Sequence, residues 1–289
     1  VPKENIISLN LEGIEGIDIT ESRQLLQYFV ERLQPRGMNY IFIDEVQQVE
    51  HFEKAVDALY VQENCDVYMT GSNSKLLSGE LATLLSGRYV EVRMHPLSFS
   101  EFVSAHPGTS LERLYQQYLT KSSFPYASML DQSRDIRQYL SGIYDTVILK
   151  DIIGRRKMVN QALLKKITRF LFDNIGNPCS AKKIADTLAS MGSKTTIPTV
   201  ENDRGALQDA FLFYRADRYD LKGKEYLKTG GKYYAVDLGL RQMVLGNKPM
   251  DAGHMLENVV YLELLRRYDE VYIGKVGTAE IDFVAVRDG

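Results

Sequence analysis

The sequence predicts an α/β protein: a parallel-sheet unit over the first hundred residues, then a helical stretch, a helix-rich module closed by a hairpin, and a last helix with two strands. Three observations predict it. Short apolar runs alternate with helical spacing up to about residue 100, helical spacing alone continues to about residue 156, and two later groups of strand-like runs each follow helices.

Ile6 to Leu11 reads as the first strand. Thr20, with Glu21 behind it, caps a helix whose apolar positions Leu25, Leu26, Phe29, Val30 and Leu33 recur at three- and four-residue steps until Pro35 and Gly37 stop it. Tyr40 to Ile43 is a buried strand running into Asp44 and Glu45. A helix around Phe52 to Val61 leads to a strand at Asp66 to Met69, which ends in Thr70-Gly71-Ser72-Asn73, and Tyr89 to Met94 reads as a fourth strand. From Ser98 to about Arg156 the apolar residues keep helical spacing, which predicts a small helical subdomain.

After Lys157 come a helix from Leu163 to Phe172, a break at Gly176-Asn177-Pro178 and a helix capped by Ser180. A third helix runs from about Thr196 to Ala210, with Pro198 in its first turn, where it is tolerated. Strand-like runs at Phe211 to Tyr219 and Lys232 to Val236 follow, joined by a Lys/Gly-rich stretch. Helix, helix, helix, hairpin is the winged-helix order. The chain closes with a helix from Leu256 to Arg267 and strands at Glu270 to Ile273 and Ala279 to Val286. The expected divisions are 1–103, 104–160, 161–245 and 246–289.

Composition sets the limits. With 289 residues, 44% hydrophobic and 25% charged, the chain is a core-forming protein and not a disordered one. A net charge of -3 excludes a globally basic nucleic-acid coat. Cys65 and Cys179 lie far apart with no C-x-x-C, which excludes a disulfide framework or a zinc site written in cysteines and points to a reducing, cytoplasmic setting. No apolar run approaches the roughly 18 residues of a membrane span. The chain opens without Met near one strand and stops after another, so a fragment, or only the ordered part of a protein, is expected.

Acidic residues at the C-terminal end of an apolar parallel strand stand where open α/β sheets bind their ligands. Asp44 can hold the water shell of Mg²⁺, and Glu45 can orient or deprotonate an attacking water. The next strand also ends in polar groups, Thr70, Ser72 and Asn73, so two neighbouring strands build one site. Arg88, in Leu85-Ser86-Gly87-Arg88, is a candidate for stabilising phosphate charge in its own subunit or across an interface.

These residues carry a resemblance. Phe42-Ile43-Asp44-Glu45-Val46-Gln47 is similar to the Walker B strand, and Tyr68-Met69-Thr70-Gly71-Ser72-Asn73 to the sensor strand, of a family of prokaryotic AAA-type ATPases. Leu85 to Arg88 with Pro96-Leu97-Ser98-Phe99-Ser100-Glu101-Phe102 resembles the segment that follows. Members of that family carry a C-terminal domain of unknown function combining a winged helix with a fold similar to PD-(D/E)xK nucleases. The resemblance implies a P-loop NTPase-like core that binds ATP and Mg²⁺ in the full-length protein, with Asn73 sensing the γ-phosphate. One departure matters: no G-x-x-x-x-G-K-[ST] occurs in these residues, so the chain as given is expected neither to bind nor to hydrolyse ATP appreciably.

The region from Ser180 to Lys232 holds ten Lys/Arg against seven Asp/Glu, a net +3 within a chain of -3. Lys222, Lys224, Lys228 and Lys232 along the wing, with Lys194 and Arg204 flanking the helix before it, are candidates for DNA phosphates; a protein-docking module is the other reading. Glu257 and Asp282 resemble the first acids of a PD-(D/E)xK nuclease, without the further (D/E)-x-K strand, so cleavage is not expected and Asp282 reads as a relic or as the edge of a site completed elsewhere. Ser72-x-x-Lys75 with Lys228-Thr229-Gly230 matches two serine β-lactamase motifs, but no S-D-N lies between them and no export signal precedes them. The four histidines form no helical pair with a carboxylate and receive no chemistry. A DNA or protein partner and an oligomer are compatible with these readings; a membrane is not.

Overall fold

A computed structural model describes residues 1–72, 87–154, 160–220, 225–246, 251–276 and 279–287. The chain forms two compact units, Val1–Val92 and Arg93–Gly289.

The first unit is a β-α-β-α-β succession. Strands β1 (Ile6–Asn10), β2 (Asn39–Asp44) and β3 (Cys65–Met69) are parallel in the order β1-β2-β3. Helices α1 (Ser22–Val30) and α2 (Phe52–Tyr60) make the two crossovers. Alternation along the strands decides which face is covered. Ile7, Leu9, Ile41 and Ile43 point to one side and close with Leu25, Phe29, Val56 and Leu59 of the helices into one core. On the other side Ile6, Phe42 and Tyr68 are 47%, 40% and 47% exposed, and the Phe42 and Tyr68 rings stack at 4.9 Å. Asp44 continues the series of this open face.

The differences from the sequence reading are local. Helix α1 begins after Glu21, where the Gln24 side-chain oxygen accepts from the Thr20 and Glu21 N–H groups, and it ends at Val30 instead of Leu33. The Tyr89 to Met94 stretch, expected as a fourth strand, pairs with no strand among the described residues, and Val90, Val92 and Met94 are strongly exposed. Its alternation of apolar residues is real, but a strand also needs a neighbour to satisfy its backbone.

The second unit begins with α3 (Phe99–Ser104), whose cap Ser98 and third residue Glu101 form a reciprocal capping box. Helices α4 (Leu111–Thr120), α5 (Pro125–Ser128) and α6 (Ser133–Thr146) follow, and α6 passes into a π-helix, Val147–Ile153. Then come α7 (Gln161–Asp173), α8 (Ala181–Ser190) and α9 (Ile197–Asp209). Ser180 accepts from the third helical N–H of α8, as its position predicts, and Thr196 caps α9 in the same way. Strands β4 (Phe213–Asp220) and β5 (Glu225–Ala235) form an antiparallel hairpin. Most of the Lys/Gly-rich stretch is therefore strand β5 and not a connection.

A short helix that the sequence reading did not include, α10 (Leu238–Leu245), comes next, then α11 (Ala252–Arg267), β6 (Glu270–Val276) and β7 (Ala279–Val286). The hairpin and the C-terminal strands make one sheet, β5-β4-β6-β7, with β6 parallel to β4. The unit's main core joins α6 to α10, with Leu164, Phe172, Ile184, Val200, Leu207, Phe213 and Tyr233 at its centre.

One latch inside this unit uses a fully buried acid. Asp237 caps α10 through the Leu240 N–H at 2.6 Å, and its other oxygen accepts from Ser123 N, Ser123 Oγ and Ser122 Oγ at 2.6, 2.7 and 3.2 Å. Burial pushes its carboxyl above the usual carboxylate range, and these donors offset part of that. Beside it, a Cβ at Gly239 would stand 1.8 Å from the Lys121 carbonyl oxygen, so the loop after α4 lies directly on the helix backbone.

Candidate functional site

The three parallel strands of the first unit end together, with Asn10 opposite Asp44 and Ile43 opposite Met69. This edge is where the sheet stops covering its own backbone and side chains meet solvent. Thr70, one residue beyond β3, ties the edge together. Its N–H donates to Ile43 O at 2.9 Å, its carbonyl accepts from Val46 N at 3.1 Å, and its hydroxyl donates to Asp44 Oδ1 in a short hydrogen bond. The same hydroxyl oxygen accepts from the Glu45 N–H at 3.3 Å.

Glu45 adopts the left-handed region, φ 57° and ψ 43°. For a residue with a Cβ this costs about 1 to 2 kcal/mol. The hydrogen bonds from Glu45 and Val46 to Thr70 offset it, each worth about 1 kcal/mol net. The turn redirects the chain at the moment it leaves β2, so two consecutive residues, Asp44 and Glu45, aim carboxylates from different backbone directions. Gln47 then reaches back: its Nε2 donates to Glu45 Oε2 in a short hydrogen bond and to Ser72 Oγ at 3.3 Å. Gln47 Oε1 is buried without a partner among the described residues. A carboxylate held by an amide and adjoining a serine hydroxyl is an oriented acceptor, suited to gripping a water.

Asp44, Glu45 and Ser72 are thus brought together, with Thr70 and Gln47 as the residues that position them. The positioning role of Gln47 was missed in the sequence and shows only once the turn at Glu45 folds it back. Asn73 lies outside the described residues. Arg88, expected at the phosphate charge, pairs instead with Asp57 of α2 at 3.1 Å and lies 5.9 Å from the Tyr60 ring centre. Its side chain is half exposed.

A divalent ion fits the strand edge in one manner. Among the described residues no group of three His, Cys, Asp or Glu converges on a cation. Asp44 is exposed, with Oδ1 taken by the Thr70 hydroxyl, and its carboxylate could hold the water shell of Mg²⁺.

In the second unit the predicted DNA contacts separate. Lys194 is exposed. Arg204 turns inward: its guanidinium lies 5.4 Å from the Tyr233 ring centre and donates to Cys179 O at 3.3 Å. Lys222 and Lys224 lie outside the described residues, and Lys228 falls within β5. Lys232 is not on a wing surface. It is 6% exposed and pairs with Glu257 at 2.8 Å and Glu280 at 3.1 Å. Glu257 Oε1 also accepts from Tyr234 OH at 2.7 Å, while Asp282 is exposed on β7.

Residues 2–103 match a family model described as an AAA domain, and residues 112–251 match a domain of unknown function (DUF8612). An uncharacterized protein of Haemophilus influenzae is 42% identical over 291 residues, which is 99% of this chain and 72% of that protein. The chain belongs to that protein's family. The uncharacterized protein MJ1544 of Methanocaldococcus jannaschii is 27% identical over 299 residues, 98% of this chain and 66% of its own length. The parallel three-stranded unit of the family is therefore AAA-like, and the strand edge at Asp44 and Glu45 lies inside the AAA match. No helix among the described residues is long and apolar enough to cross a membrane.

Proposed function

We propose that the full-length protein is an ATP-hydrolysing AAA-type ATPase whose hydrolytic edge is formed by Asp44, Glu45, Ser72 and Asn73. The observation that carries this reading is the Thr70 hydroxyl, which reaches from the end of β3 to bind the Asp44 carboxylate and the Glu45 backbone at once and so braces both acids at the C-terminal end of β2. Asp44 would hold Mg²⁺ through its water shell, and the ion would supply neutralisation of phosphate charge. Glu45, gripped by Gln47, orients and deprotonates the attacking water. Asn73 contacts the γ-phosphate. Arg88 reaches phosphate only on leaving Asp57, which suits a residue acting across a subunit boundary in an oligomer.

These 289 residues contain no phosphate-cradling G-x-x-x-x-G-K-[ST], while the curated relatives they match are longer. Calorimetry separates the two cases. The full-length protein is expected to bind ATP with Mg²⁺ dependence that Asp44→Asn removes, and residues 1–289 alone to bind it weakly. Tight Mg²⁺-dependent binding by 1–289, or Asp44→Asn binding like the unsubstituted protein, overturns this assignment.

Nucleotide state then acts on the C-terminal region, read as a helical part (104–160), a winged-helix part (161–245) and a nuclease-like part (246–289), in the cytoplasm. For its target we favour a protein over DNA. The exposed side of α9 presents Ile197, Pro198 and Glu201, which offer a phosphate backbone no cation, and Arg204 is occupied inside. Duplex DNA titrated at low and moderate salt is expected to show no steep salt-dependent binding to this chain. A steep slope would restore the DNA reading.

A further inference from the structure

We infer that Lys232 is the resident cation of the Glu257 and Glu280 carboxylates, so that the acidic cluster of the C-terminal segment is a lysine-filled lock and not a metal centre. This goes beyond the nucleotide reading and does not depend on it. A nuclease-type divalent ion is the group the family resemblance implies for Glu257, and the residues present do not fit it.

Five observations oppose the ion. The Lys232 ammonium already stands between the two carboxylates, 2.8 Å from Glu257 Oε1 and 3.1 Å from Glu280 Oε1, on a side chain only 7% exposed. Glu257 Oε1 takes a second donor, Tyr234 OH at 2.7 Å, so this oxygen has no lone pair left to aim at a metal. Glu257 Oε2 faces the backbone of Gly176, where even a Cβ would come within 3.0 Å of it and within 2.9 Å of the His254 ring. No group of three metal-binding side chains exists among the described residues. Asp282, the acid the resemblance pairs with Glu257, is exposed two residues along β7 from Glu280.

The chemistry of the lysine agrees. Burial alone would lower its pKa, yet the hydrogen bonds and charges of Glu257 and Glu280 outweigh burial and hold the ammonium above its ordinary value. A buried charge without its partner is strongly unfavourable, so Lys232 and Glu257 hold each other in place, and the half-exposed Glu280 adds a second contact to the lysine. Lys232 belongs to β5, Glu257 to α11 and Glu280 to β7. The cluster therefore pins the hairpin to the C-terminal helix and the sheet's last strand, and any motion of the hairpin carries them along.

The test uses the nucleotide-free full-length protein, with Mn²⁺ as the probe, read by electron paramagnetic resonance and by melting temperature. The unsubstituted protein is expected to show no Mn²⁺ binding that Glu257→Gln removes. Lys232→Ala should lower the melting temperature by several degrees, and Mn²⁺ should restore part of that loss, with the restoration abolished in Lys232→Ala/Glu257→Gln. Lys232→Met serves equally if the alanine variant does not fold. A Glu257-dependent Mn²⁺ site in the unsubstituted protein overturns the inference, and this measurement needs no lysine variant. So does a lysine variant that melts unchanged and gains no Mn²⁺ response.

Discussion

Replacing Glu45 by Gln in the full-length protein is expected to lower phosphate release from ATP by about 10²- to 10⁴-fold, the usual contribution of a positioned general base, while ATP affinity changes little. Glutamine keeps the length and the two-atom head of the side chain, and it is unbranched at Cβ, so it can hold the left-handed backbone that Glu45 adopts. What it loses is the capacity to take a proton. Thr70 still braces the turn through the Asp44 carboxylate and the backbone of residues 45 and 46. A change confined to turnover thus separates chemistry from folding. Undiminished phosphate release in Glu45→Gln would remove this residue from the proposed role and leave the strand edge as scaffold.

The largest effect on stability is expected from Gly239→Ala. A methyl group there would stand 1.8 Å from the Lys121 carbonyl oxygen, 2.4 Å from its carbon and 2.7 Å from Ser122 Cα. All three are backbone atoms, so no side-chain rotation relieves the clash. The loop must lift from α10, and lifting it pulls Ser122 and Ser123 away from the buried Asp237 carboxylate. Overpacking of this kind costs typically 1 to 3 kcal/mol and occasionally more. With the latch also strained, about 3 kcal/mol or more is expected by denaturant titration. Gly205, on α9 with nothing within 4 Å of its Cβ position, provides the control: alanine there should be neutral or mildly stabilising. Equal behaviour of the two variants would show that the loop does not rest on the helix as described.

How much of this was legible beforehand depends on the range of the interaction. The alternation of β1, α1, β2, α2 and β3 follows from local periodicity, and so does the cap Ser180, because a cap acts on an N–H three residues away. The acid pair was legible because a polar residue at the end of an apolar run stands out. The fate of individual lysines was not. Lys232 sits in a run of similar residues, and what distinguishes it is a pair of glutamates 25 and 48 positions further along that folding brings to it. Arg204 looked equally available in sequence, yet Tyr233 gives its guanidinium a ring to lie on. Tyr89 to Met94 failed for the converse reason: its own pattern was right, and no strand pairs with it among the described residues. Gln47 was hidden because a lone glutamine has no distinguishing pattern until the left-handed turn at Glu45 brings it back onto the carboxylate.

The parallel pairing of β4 with β6 also sets a schedule for the growing chain. Arg218 of β4 waits for Ile273, made 55 positions later, before its second edge is filled, whereas the hairpin partner β5 follows at once. At usual synthesis rates of roughly 5 to 20 residues per second, that is on the order of 3 to 10 s during which a finished hairpin offers an unpaired strand edge. The ribosome therefore releases this half of the molecule through an interval in which another nascent chain can pair with it, and slower translation across α10 and α11 would lengthen that interval.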